Sequence, residues 1–146
     1  MNRAILVALG TGAIISSAWA ITAGGTDAEG PVVTQQQYDA RLRTIGSERA
    51  AHESRCEAVA GFERELCRIE AGANEALRMA EAEASFRRTP EAARAAQRAR
   101  IDAKYQLERA KCGALGGFKR DKCLVQVHAT RGRAMLAAAQ PYEVRF

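Results

Sequence analysis

The chain has 146 residues, of which 47% are hydrophobic, only 5% aromatic and 27% charged, with a net charge of +5. With two histidines and four cysteines it holds little material for metal or nucleophilic chemistry. No basic motif interleaved with aromatics, of the kind that stacks on bases, is present.

Residues 1–20 have the form of a secretory signal peptide. Arg3 supplies the positive start, Ala4 to Ile15 the apolar centre, and Ala18-Trp19-Ala20 a small-x-small cleavage site. Gly10, Thr11, Gly12 and Ser16 break the apolar run, which is too short to span a bilayer, so an uncleaved anchor is the lesser alternative. Export places the chain in the periplasm or outside the cell, where disulfides form and persist. Its pI near 9.3 then implies at most loose attraction to anionic envelope surfaces. Residues 21–33, rich in Gly, Thr, Asp and Ala, are expected to be a flexible linker.

Thr34 opens the first helix as an N-cap, with Gln37 completing a capping box and Val33 and Tyr38 placed for a hydrophobic staple. Tyr38, Leu42, Ile45, Arg49, His52, Cys56 and Val59 then recur at alternating spacings of four and three, one stripe on a helix of about 25 residues. Gly61 stops it. A second helix is expected over 63–86, with Leu66, Ile69, Ala73, Leu77 and Ala80 buried and Arg87-Arg88 at its C-terminus. Thr89-Pro90-Glu91 restarts the chain as N-cap, first-position proline and early acid. The third helix reaches Leu115 on a thin stripe of Ile101, Tyr105, Cys112 and Leu115, Gly116-Gly117 breaks it, and a fourth covers 118–139 before Pro141.

One segment occurs twice. Cys56 to Cys67 and Cys112 to Cys123 each hold Gly-Phe-x-Arg at the centre, as Gly61, Phe62, Arg64 and Gly117, Phe118, Arg120. The copies stand 56 residues apart, eight heptads, and the pairs Ile45/Ile101, Ile69/Val125, Ala73/Ala129 and Met79/Met135 extend the match. On a continuous helix Cys56 and Cys67 would lie about 16 Å apart along the axis. A disulfide requires Cα atoms within roughly 7 Å. Folding back at Gly61 and Gly117 makes both bonds feasible. The fold expected is therefore all-α, two antiparallel hairpins over 34–88 and 89–140. They form either a four-helix bundle or an elongated coiled-coil-like rod.

The order Tyr38, Cys56 to Cys67, an Ala/Glu-rich helix, a proline break, Tyr105, then Lys111-Cys112 to Cys123 resembles small exported proteins of β-proteobacteria. Those carry two Cys…Gly-Asn-Ala-Lys-Asp-x-Cys segments in Ala/Lys-rich helices. The likeness covers roughly residues 35–139 and rests on the doubled cysteine spacing. The chain departs from it at the bends, where Gly-Phe-Glu-Arg and Gly-Phe-Lys-Arg replace a capping Asn. The group has no assigned function, so the resemblance implies an envelope setting and no catalytic residues.

Two weaker chemistries are visible. His52 precedes Cys56 by one turn and His128 follows Cys123, which would suit a Cys2His metal site in each hairpin, but Glu108 and Gly72 occupy the matching positions of the other copy. A thiol redox pair normally has two intervening residues rather than ten. No Ser-His-Asp set, phosphate loop or paired acid is present, so neither an enzyme nor a cofactor is expected. The tail, residues 141–146, alternates Tyr142, Val144 and Phe146 with charges, as a terminal peptide recognised by strand addition would, or as a frayed end folded onto the helices. The reading is a non-catalytic structural or interaction protein of the cell envelope, with a protein partner or self-association and no nucleic acid. The alternatives are a periplasmic metal-binding or stress protein, or an ATP-independent chaperone.

Overall fold

A computed structural model describes residues 32–139. The expected signal peptide, nearly all of the linker and the tail lie outside these residues. Four helices follow in order: α1 (Gln35–Cys56), α2 (Gly61–Arg87), α3 (Pro90–Cys112) and α4 (Gly117–Ala139). The all-α class with two hairpins is what the structure shows. None of the described helices is long and apolar enough to cross a membrane.

The starts of α1 and α3 are local in origin. The Gln37 amide donates to Thr34 Oγ1 at 3.2 Å, and Gln37 Oε1 accepts from the Thr34 amide at 2.9 Å. Both bonds satisfy donors that a first helical turn leaves unpaired. Thr89 Oγ1 accepts from the Ala92 amide at 3.2 Å, with Pro90 at the first position of α3. Between α2 and α3 the chain reverses at Arg88, a left-handed residue with φ 54° whose amide donates to the Ala84 carbonyl at 3.0 Å.

The bends depart from the expected limits. Both α1 and α3 end at their cysteine, and short turns over 57–60 and 113–116 carry the chain to Gly61 and Gly117. These glycines therefore open the next helix rather than stop the previous one. Their φ angles of +58° and +49° are left-handed, which a residue with a Cβ adopts at a penalty. Leu115 consequently falls outside α3, in an exposed turn.

Each helix packs antiparallel on its neighbours in sequence, and among the described residues α1 and α4 do not meet. The six stripe residues on α1, Tyr38 to Cys56, and Val59 in the turn beyond it are all buried or half-buried. α2 is covered on two sides. Toward α1 it turns Cys67, Ala71, Glu75 and Arg78, and Phe86 stacks on Tyr38 with centroids 4.6 Å apart. Toward α3 it turns Phe62, which lies against Gly113, and at helical spacing behind it Leu66, Ile69, Ala73 and Ala80. α3 answers with small residues, Ala92, Ala96, Ala99, Ala103 and Ala110, all buried or half-buried. The α2–α3 seam is the most extensive in the structure. Because α1–α2, α2–α3 and α3–α4 are all antiparallel, both cystine bends lie at one end, adjacent to each other.

Candidate functional site

Both cystines form as the spacing predicts. Cys56 pairs with Cys67 and Cys112 with Cys123, with Cα separations of 5.6 and 5.7 Å, and no free cysteine is left. Cys56 and Cys112 are fully buried. Each bond ties the last residue of one helix to the second turn of the next, so it fixes the hairpin angle.

The two hairpins, alike in their cystine bends, carry different chemistry in the grooves between paired helices. In the first hairpin Arg49 lies in the groove and donates from Nη1 to Glu75 at 2.8 Å and from Nη2 to Glu53 at 2.5 Å. Gly72 lies opposite: a Cβ there would stand 3.1 Å from Arg49 Nη1, so the guanidinium would have to shift to make room. Glu48 and Arg78 pair across the same groove. In the second hairpin, at the constant offset of 56, Tyr105 replaces Arg49, His128 replaces Gly72, Arg131 replaces Glu75 and Ala134 replaces Arg78. The Tyr105 and His128 rings are 5.4 Å apart, and the hydroxyl stands 3.4 Å from His128 Nδ1. Arg131 lies over the Tyr105 ring at 5.0 Å and pairs with Asp102 at 2.7 Å. An open groove of about 450 Å³ remains there, lined by Ile101, Tyr105, Cys123, Val127 and Ala134 with Arg100, Lys104 and Arg131 at its rim.

The two candidate metal-ligating histidines separate. His52 is brought to the first cystine, its ring nitrogen and the sulfurs of Cys56 and Cys67 lying within 4.8 Å of one another. His128 instead faces Tyr105. The tail residues Tyr142, Val144 and Phe146 lie outside the described residues.

In the first hairpin, close pairing shifts several groups. The Tyr38 hydroxyl donates to Glu83, which holds the Glu83 carboxyl below its ordinary range with help from Arg87 and pushes the Tyr38 phenol up. Arg68, donating at 2.5 Å, likewise depresses Glu57. Arg64 adds a tie across this bend, its Nε donating to the Val59 carbonyl at 2.7 Å, whereas the matching Arg120 is exposed.

The spacing rules passed over the outer side of α4. Phe118 and Val125, repeat-equivalents of Phe62 and Ile69, are 81% and 70% exposed, Leu136 is 70% exposed, and α4 contains no buried residue. The signal was present: laid on α2 at the constant offset, these positions fall on the side that α2 turns to α3. Comparison with protein-family models, with curated proteins and with solved structures finds no match to this chain.

Proposed function

We propose that this is an exported, non-catalytic interaction protein of the cell envelope, a helical scaffold clamped by two cystines that offers one face to another helix. The observation that carries this reading is the uncovered side of α4, the repeat-equivalent of the α2 side that α3 buries. Two cystines and a leader-like start support an oxidising compartment. Thiol counting on protein recovered from its native compartment tests it. No reactive thiol without reductant, in a chain recovered outside the cytoplasm, is expected. Four reactive thiols in a cytoplasmic protein would sink the reading.

A second reading rests on the His52, Cys56 and Cys67 cluster. Reduced, these three would supply a nitrogen and two thiolates within 4.8 Å, a partial tetrahedral set for zinc. Zinc uptake by the reduced protein, lost in His52→Ala and retained in His128→Ala, would favour it. Uptake indifferent to His52 would end it.

A further inference from the structure

We propose that the outer side of α4 is a self-docking surface, on which a second copy of this chain packs antiparallel about a twofold axis, α4 against α4. This deepens the interaction reading above and rests on it. α2 shows what this surface does when covered: Phe62 is 37% exposed against 81% for Phe118, and Ala73 is 4% exposed whereas its equivalent Ala129 is exposed. What covers α2 is a helix faced with alanines, because only small side chains let the backbones approach.

Continuing the repeat head to tail would place α1 of the next copy where α3 lies. α1 is unsuited to that. The positions matching Ala92, Ala99, Ala103 and Ala110 are Gln36, Arg43, Ser47 and Ser54, all exposed. Glu57 stands where Gly113 lies against Phe62, so a charged side chain would start in contact with that ring, 3.4 Å from its Cβ. α1 is thus a polar terminus of the layer, and α4 the unfinished one.

α4 is also complementary to itself. Its outer stripe reads Phe118, Lys122, Val125, Ala129, Gly132, Leu136 and Ala139, at spacings of three or four. An antiparallel pairing centred between His128 and Ala129 sets Phe118 opposite Ala139 of the other copy and Val125 opposite Gly132. Large faces small along the seam. Lys119, Arg120, Lys122, Arg131 and Arg133 then fall opposite Ala138, Ala137, Met135, Gln126 and Leu124, so no cation faces another. Leu136 comes beside Asp121 and Lys122, and the Lys122 stem covers it while its charge reaches water. A twofold contact of this kind closes on itself and leaves the polar α1 at both outer edges.

A single helix of this length presents a strip about 34 Å long. That sits at the low end of specific interfaces, so association is expected to depend on concentration. The test is sedimentation velocity on the full exported chain from ~1 to ~500 μM, spanning the micromolar affinities expected of small interfaces. Mass should double across this range. Val125→Arg should abolish the doubling while circular dichroism and the melting curve of the monomer stay unchanged, and Ser47→Arg on α1 should leave it intact. In Ala129→Cys, a short bis-maleimide should join Ala129 positions of two copies. Four outcomes would overturn the proposal: a monomer throughout, a dimer indifferent to Val125→Arg, a series of growing oligomers disrupted by Ser47→Arg, or dimerisation appearing only when residues 140–146 are removed. The last would assign the surface to the chain's own end. None of these bears on the thiol count, so failure here is separable from failure of the broader reading.

Discussion

The α1–α2 and α3–α4 hairpins share a backbone plan and differ in what fills it. In the first, the groove is occupied by Arg49 and its carboxylates, the bend is tied by Arg64 and by Glu57 with Arg68, and the outer side of α2 lies under α3. In the second, Tyr105 and His128 leave the groove open, the bend has no such ties, and α4 faces outward. Duplication has left one copy to serve as framework and the other to present surface. Ionic contacts can anchor the first because its neighbours desolvate them partly. The second keeps apolar area exposed, which is useful only if something covers it.

The largest expected effect comes from the clamps. Replacing either cysteine pair by serine should lower stability by about 3 kcal/mol, the chain-entropy value for loops of this size. The hairpins should nevertheless respond differently. Without Cys56–Cys67, α1 is still held by Tyr38 on Phe86 and by Arg49, so helix content by circular dichroism should persist below the melt. Without Cys112–Cys123, α4 retains only its contacts with α3, and helical signal should be lost before the main transition. Equal behaviour of the two variants would break the contrast.

Next comes one substitution made at matched positions. Ala73→Leu overpacks the α2–α3 seam and should cost 1–3 kcal/mol, roughly the usual penalty for added methylenes in a packed core. Ala129→Leu, assayed at concentrations where the chain is monomeric, should stay within ~0.5 kcal/mol. Comparable losses at both would mean that α4 is covered within its own chain.

Smaller still is the pair Gly72→Ala and Gly132→Ala. Each gains up to about 1 kcal/mol of helix propensity. Nothing lies within 4 Å of a Cβ at Gly132, so urea melts should show the full gain there. At Gly72 the displaced Arg49 should offset most of it. A full gain at both positions would show that Arg49 is not anchored.

The weakest effect is on pH dependence. Glu83 and Glu57 have depressed pKa values, so their contribution is fully present above the ordinary glutamate range and is lost as pH falls through the depressed folded values. Tyr38 is raised, so its contribution is present below the ordinary tyrosine range and lost as pH rises through the folded value. Ala139 and Gly113 occupy the matching positions of the second hairpin. Acidification should therefore loosen the α1–α2 hairpin first, read by Phe86 chemical shifts, and Tyr38→Phe should reduce the difference to the part that Glu57 and the Glu83–Arg87 pair contribute. Exposure keeps these contributions small.

Local chemistry made much of the fold legible. The Thr34 and Thr89 caps satisfy helix donors within three residues, and the cysteine spacing permits a bond only across a bend. Two features were hidden. The side that α2 turns to α1 mixes Cys67 and Ala71 with Glu75 and Arg78, so it shows too little apolar contrast to mark a second buried stripe by periodicity. The Arg49 network has Gly72 lying opposite, a coincidence between helices that no spacing along one helix can express. The α4 stripe lay between these cases: Phe118, Val125 and Leu136 are visible, but their exposure follows from no further helix packing on them among the described residues.

Both cystines sit at the same end of the layer, while the chain enters α1 and leaves α4 at the other. That geometry sets how the protein answers mechanical force. Tension applied at residues 35 and 139 acts on the two outermost helices from their unclamped ends, so α1 and α4 should unzip one turn at a time, at low force, toward the bends. There the line of tension crosses the sulfur bridges, and the loops behind them, each closed at a separation of 11 residues, stay out of it. In single-molecule pulling, added reductant should lengthen the fully extended chain by one hidden loop per bond, and an unchanged contour length would refute this account. A protein tethered in this way yields readily at its edges and stops at a defined length.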